Sequence, residues 1–274
     1  MEITWLTGIL VALCGVGVGI LSALFGIGGG VVMVPLIHLA FGQPAAVASG
    51  TSVFAILPTS ISGMLARLHD GSIRFPVGIV AGVAGACLSP LGAVMASNLP
   101  GVYAMVLTAC FILFTAYNMF KKFWRGRPRA QGGAAAGEAG DGRTAPLARA
   151  TGVRLYGCTA LLGAVVGTLS GYLGLGGGFI IVPILQWAYG LTMKEASGTS
   201  LVAVGILSVP SFITHAVLGN VAWLIGVLLI AGSVCGAKLG ALISARINNH
   251  VLTGLFGVVL VVAGIIMAVE ELLA

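Results

Sequence analysis

Ten apolar runs take up most of this 274-residue chain, and they constrain its fold more than any other feature. They lie at roughly 3–25, 31–42, 45–66, 75–97 and 101–121, and again at roughly 153–173, 179–191, 195–217, 221–245 and 250–270. Eight of them reach the length of about 20 residues with which an α-helix crosses a hydrocarbon core of about 30 Å. Charged residues make up only 7% of the chain and apolar ones 58%, whereas soluble domains carry about 25% charge. A soluble fold of this length would lack the polar surface to cover itself. The expectation is an all-α polytopic membrane protein with 8 to 10 membrane segments. The first run follows Glu2 rather than a basic stretch and leads into glycines rather than a typical cleavage site, so it reads as mature protein rather than a signal peptide.

The ten runs are two sets of five. Gly26-Ile-Gly-Gly-Gly-Val-Val-Met-Val-Pro35 recurs as Gly174-Leu-Gly-Gly-Gly-Phe-Ile-Ile-Val-Pro183, 148 residues later. The same offset carries Ala48-Ser-Gly-Thr-Ser52 onto Ala196-Ser-Gly-Thr-Ser200, Gly71 onto Gly219, Cys87 onto Cys235 and Leu91-Gly-Ala93 onto Leu239-Gly-Ala241. A shared register over this distance marks a duplicated unit. The boundaries expected are a first membrane repeat at 1–123, a flexible, partly disordered Gly/Ala/Arg-rich linker at 124–151, and a second repeat at 152–274.

Basic residues give the orientation. Lys121, Lys122, Arg125, Arg127, Arg129, Arg143, Arg149 and Arg154 cluster in or beside the linker, which the positive-inside rule puts in the cytoplasm. Counting spans outward puts Arg67, Arg74, Lys194 and Arg246 on that side too, with Glu2, Glu270, Glu271 and both termini external. Lys238, inside the ninth run, is the one basic residue this scheme leaves over. The first two runs of each copy are either two crossings or one re-entrant hairpin. Either way each copy crosses an odd number of times, so the repeats are expected to be inverted about an axis in the membrane plane. Spacings such as Gly15/Gly19, Gly78/Gly82 and Gly163/Gly167/Gly171 suit close helix packing in lipid.

The short runs after each glycine cluster would cover about 18 to 20 Å as helix, too little to cross. They read as half-helices ending near mid-membrane. A Gly-x-Gly-Gly-Gly turn before such a helix leaves backbone N–H groups without intrahelical partners, at the positive end of its dipole. An anion would satisfy them, which makes Gly28, Gly29, Gly30, Gly176, Gly177 and Gly178 the first candidate ligands; the plainer alternative is a tight turn that only glycine allows. Ser49 and Thr51, with Ser197 and Thr199, start the next long helix and offer hydroxyl donors, though such hydroxyls often bond back to a carbonyl one turn earlier. His38 and Gln186 occupy equivalent places in the short helices. Lys238 either meets the anion or snorkels toward the cytoplasmic surface.

Several functions are disfavoured by what the pattern lacks. No Lys-Ser/Thr follows the glycines, as a phosphate-binding P-loop needs, and the third glycine of a dinucleotide fingerprint is replaced by Val31 or Phe179. Five cysteines, at 14, 87, 110, 158 and 235, form no CxxC pair, lie in apolar runs, and read as packing thiols rather than a metal site. The net charge of +6 belongs to membrane orientation rather than to nucleic acid. No Asp or Glu lies inside a span, so an anionic substrate is expected, and a coupling ion, proton or sodium, would have to use His, hydroxyls or carbonyls. An intramembrane hydrolase built on a serine near His38 or His215 lacks paired aspartates or a His-Glu-x-x-His pattern. No enzyme activity, cofactor or metal is expected; the oligomeric state stays open.

The duplicated Gly-x-Gly-Gly-Gly-(x)4-Pro segments at 26–35 and 174–183, the two Ala-Ser-Gly-Thr-Ser stretches, and the Leu-Gly-Ala steps near Gly92 and Gly240 resemble the TauE/SafE family, named for sulfite exporters. The resemblance covers both repeats and excludes only the linker. It implies a multi-pass carrier of the bacterial inner membrane for sulfite, sulfonates or related sulfur-containing anions. Oxyanions suit a cradle of backbone N–H and hydroxyl donors. Alternating access is the expected mechanism, and an anion channel is the nearest rival. The differences at His38/Gln186 and Pro90/Lys238 imply an asymmetric site.

Overall fold

The computed structural model describes residues 5–68, 71–98, 153–173 and 175–273, with a few positions between 112 and 119. Most of the expected fifth run, the linker and most of its basic cluster lie outside the described residues, as do Glu2, Cys110 and His69. The helices are α1 (Trp5–Phe25), α2 (Gly30–Phe41), α3 (Ala45–Arg67), α4 (Phe75–Asn98), α5 (Val153–Leu173), α6 (Gly178–Tyr189), α7 (Met193–Val217), α8 (Trp223–Arg246) and α9 (Asn249–Leu273). Seven of these are long and apolar enough to cross a membrane, and α2 and α6 are short, at 12 residues each. The chain is a polytopic helical membrane protein. Its outer surface carries exposed Leu13, Leu161, Trp187 and Val217, as a lipid-facing surface should.

Two helix pairs form the sides of the bundle, and both depend on glycine. A Cβ on Gly19 would strike the backbone of Ser233, and one on Gly236 the backbone of Val16, so α1 and α8 pack backbone to backbone. The same contact joins α4 and α5, where Gly167 meets Gly85 and Gly171 meets Ser89. Lipid tails are as apolar as leucine, so close van der Waals approach rather than hydrophobic burial holds such pairs together. The two contacts coincide in the 148-residue register, Gly19 with Gly167 and Ser233 with Gly85. Gly78 and Gly82 pack against α7 through Val202, Ala203 and Ile206.

Helices α3 and α7 lie antiparallel between these pairs. Arg67, at the end of α3, bonds Ser197 and the Lys194 carbonyl at the start of α7. Gly50, near the start of α3, lies against His215 and Asn220 at the end of α7. Each helix also pins the one that follows its partner. The Thr51 hydroxyl accepts from the Ala222 N–H at 2.9 Å, just before α8, and the Thr199 hydroxyl accepts from the Arg74 N–H at 3.0 Å, just before α4. Thr192 and Glu195 start α7 with a reciprocal capping box, and Glu195 also pairs with Arg74 at 3.3 Å.

Two expectations are corrected. Cys14, Cys87 and Cys235 are exposed on the outer surface rather than packed inside. Arg67 is not a loop-flanking charge but a buried side chain, only 2% exposed, because its guanidinium folds back among three neighbouring helices.

Candidate functional site

The two glycine turns meet in the core. A Cβ on Gly30 would collide with the Leu175 carbonyl, and one on Gly178 with the Gly26 carbonyl, so the turns cross with no side chain between them. Gly28 and Gly29 hold φ of 78° and 88°, and Gly176 and Gly177 hold 74° and 67°, a left-handed backbone that other residues adopt only under strain. Gly29 and Gly177 are the residues from which α2 and α6 start, and neither start has a side-chain cap. Both helix N-termini, with their unpaired N–H groups and positive dipole ends, therefore sit at the crossing.

Chain direction follows from the contacts. The Ala23 and Leu24 carbonyls, in the last turn of α1, accept from Arg67. So α1 reaches the Arg67 end of the bundle, the glycine turn carries the chain back to the core, and α2 completes the return to the start of α3. The half-helix spans about 18 Å.

In this conformation apolar side chains cover the crossing. Ile56 and Val204, equivalent positions in the 148-residue register, lie against both Gly28 and Gly176, the nearest approach being 2.8 Å from where a Cβ would stand. One polar group is left over there: Ser22, 1% exposed, packs against Gly29 and its hydroxyl has no partner. Its counterpart Ser170 lies against Gly177.

The other sequence candidates take several different places. The Thr51 and Thr199 hydroxyls each accept from one of the helix starts described above. Ser197 accepts from Arg67 at 2.6 Å and donates to the Lys194 carbonyl. Ser49 is buried with an unpartnered hydroxyl. His38, in the last turn of α2, bonds the Gln43 carbonyl through Nδ1 at 2.6 Å, and Gln186 donates to the Met193 sulfur at 2.7 Å. Both lie toward the far ends of the half-helices, away from the crossing. Lys238 is exposed on the outer face of α8.

The residue that sequence reading passed over is Arg67. Its Nη1 donates to the Lys194 carbonyl and Ser197 Oγ, and its Nη2 to the Ala23 and Leu24 carbonyls and Ser244 Oγ, at 2.5 to 3.2 Å. The guanidinium borders a cavity of about 260 Å³ shared with Ser72, Lys194, Ser244 and Ala245. Ser197 links this cavity to the crossing, since its backbone packs directly on Gly26, whose carbonyl accepts from Ser200 at 2.8 Å. Among the described residues no cluster of His, Cys, Asp or Glu is placed to hold a metal ion.

The family model described as "Sulfite exporter TauE/SafE" matches residues 11–267. The chain belongs to the TauE/SafE family. It is similar to a probable membrane transporter protein of Xylella fastidiosa (strain Temecula1 / ATCC 700964), with 27% identity over 223 residues, covering 80% of this chain and 78% of the relative. It is also similar to the probable membrane transporter protein YdhB of Bacillus subtilis (strain 168), with 25% identity over 86% of this chain and 89% of the relative. The probable membrane transporter protein MJ0441 of Methanocaldococcus jannaschii is 35% identical over a shorter stretch, 39% of this chain and 43% of its own. No solved structure matches. This TauE/SafE protein is accordingly a membrane transporter, and its relatives carry transporter rather than enzyme names.

Proposed function

We propose that this TauE/SafE protein is a secondary transporter of a small sulfur-containing oxyanion, of the sulfite or organosulfonate class, working by alternating access across the cytoplasmic membrane. The linker is cytoplasmic and both termini external; Arg67, Arg74, Lys194 and Arg246, which gather at one end of the bundle, then mark the inner face. The two halves act as inverted repeats. The anion passes from the Arg67 cavity to the crossing, where the half-helix starts at Gly28–Gly30 and Gly176–Gly178 bind it once Ile56 and Val204 withdraw. Proton or sodium coupling would run through His, hydroxyl or carbonyl groups.

The observation that carries this reading is the buried guanidinium on a polar cavity one residue away from a glycine turn. A planar fork of N–H donors suits an oxyanion, and Lys194 adds a second positive group to the same cavity. The Ser22 hydroxyl beside Gly29 gives the half-helix start a further donor that has no other partner. The test is counterflow in proteoliposomes loaded with unlabelled sulfite, taurine or sulfoacetate. Saturable entry of labelled sulfite with a transient overshoot is the expected result. Unsaturable flux without overshoot makes the protein a channel, and flux of carboxylates but of no sulfur oxyanion refutes the substrate class.

A further inference from the structure

The position equivalent to Arg67 in the second half is His215, 148 residues on, and it lies at the opposite end of the antiparallel α3/α7 pair. Part of its surroundings matches that of Arg67. Arg67 lies along Gly198 and bonds Ser197 and the Ala23 carbonyl. His215 lies along Gly50, the chain neighbour of Ser49, its Cβ 3.0 Å from where a glycine Cβ would stand, and beside the Gly171 carbonyl without completing a hydrogen bond. Ser49 and Gly171 are the register equivalents of Ser197 and Ala23.

The two ends differ in how their polar groups are satisfied. Both terminal nitrogens of Arg67 are hydrogen-bonded, and the side chain edges a cavity. At the other end His215 is 1% exposed with both ring nitrogens unpartnered, Ser49 is 5% exposed with its hydroxyl unpartnered, and Ser211, one turn before His215 on the same face, is 1% exposed with its hydroxyl unpartnered. Buried polar atoms are nearly always hydrogen-bonded, and a group of four that are not calls for an explanation. Packing does not supply one, because an apolar residue of similar shape at any of the three places would remove the penalty.

The geometry points to a second oxyanion-binding station made of His215, Ser49 and Ser211, buried in this conformation and reached by the anion when that end of the bundle opens. The inference rests on the alternating-access reading: exchange of the two halves' conformations opens the His215 end as the Arg67 end closes. A neutral imidazole N–H and two hydroxyls then give three donors for an oxyanion, where the Arg67 end uses a guanidinium.

The test uses the full chain with its native cysteines replaced, in proteoliposomes. Ser49→Cys reports on one end and Ser244→Cys on the other through an impermeant maleimide, with and without sulfite. Ser49→Cys is expected to label from the face opposite to that of Ser244→Cys, and sulfite is expected to protect it. His215→Leu is expected to raise the sulfite KM in counterflow by about tenfold, the loss of one buried donor, while His215→Gln, which keeps an N–H, stays within about threefold. Ser49→Ala and Ser211→Ala, which do not disturb the imidazole, are expected to raise KM in the same direction. Equal KM for parent, His215→Leu and both alanine variants overturns the station, as does labelling of Ser49→Cys that sulfite leaves unchanged. Absence of counterflow from the parent sinks the transporter reading instead; sulfite protection of Ser49→Cys, measured in detergent, then still decides whether the station binds.

Discussion

Replacing Arg67 by methionine keeps most of the side-chain volume and removes the guanidinium, so its effect on stability follows from what the five acceptors do next. Ser197 still donates to the Lys194 carbonyl at 3.1 Å, and both remain partnered. The Ser244 hydroxyl can turn back to a carbonyl one turn earlier in α8. The Ala23 and Leu24 carbonyls have no such recourse, since they lie in the last turn of α1, where intrahelical donors run out. A buried acceptor left unsatisfied costs about 1–3 kcal/mol, so the pair loses about 2–6 kcal/mol. Water from the adjoining cavity would bring the loss toward the lower figure. At about 2–4 °C per kcal/mol for a chain of this size, Tm falls by on the order of 10 °C. Arg67→Lys retains a charge and three donors on a compact head that cannot span from Lys194 to Ser244, and it should fall between methionine and parent. The assay is thermal unfolding of detergent-purified protein followed by thiol-reactive fluorescence. An Arg67→Met protein that melts within about 1 °C of the parent would refute the claim that this side chain ties α1 and α7 together.

Gly30→Ala and Gly178→Ala should abolish recovery of monodisperse protein by size exclusion, because the new Cβ meets backbone carbonyls that cannot move aside; Gly42→Ala, at φ 58° with open space around it, should lose only about 1–2 kcal/mol. Thr51→Val and Thr199→Val leave the Ala222 and Arg74 N–H groups without acceptors, so each should lower Tm by a few degrees, about 1–3 kcal/mol. Both should keep their sulfite-induced thermal shift, and losing that shift at unchanged stability would make these threonines ligands instead of helix pins. Lys238→Gln should leave counterflow unchanged, since the side chain points out of the bundle; a fall in rate would place that charge on the anion's path.

Sequence reading located the helices well because length and turn chemistry carry that information. Runs expected at 45–66, 75–97 and 153–173 became helices at Ala45–Arg67, Phe75–Asn98 and Val153–Leu173. The glycine clusters announced turns that need positive φ, and the duplicated register announced that two would occur. Burial was harder to read, and for a physical reason. A membrane helix is apolar on its lipid face as well as its packed face, so there is no amphipathic period from which to tell inside from outside. Cys14 and Cys235 looked like packing residues and are exposed, while Ile56 and Val204, two aliphatic side chains among dozens, turned out to cover the glycine crossing. Arg67 was misplaced for a related reason: a charge at the end of an apolar run looks like an interfacial flank, and only the tertiary contacts reveal a side chain turned inward. The signal that would have found it was the register itself, which pairs Arg67 with His215 just as it pairs His38 with Gln186.

A carrier has to hold its substrate strongly enough to draw it from water and weakly enough to release it. On the proposed reading, this chain meets both demands by keeping full charges away from the crossing. A lysine or arginine at the crossing would attract an oxyanion through a medium of low dielectric, where screening is weak and release slow. Two half-helix starts present about half a charge each, spread over backbone N–H groups that remain fixed when the anion leaves. Arg67 stands at one end of the path with its charge divided among carbonyl and hydroxyl oxygens, so it can steer an anion toward Gly26 without binding it at the centre. Ile56 and Val204 then matter as much as the donors do. Unpaired N–H groups open to both sides at once would conduct, and an aliphatic pair lying over Gly28 and Gly176 keeps the crossing dry until one end has closed.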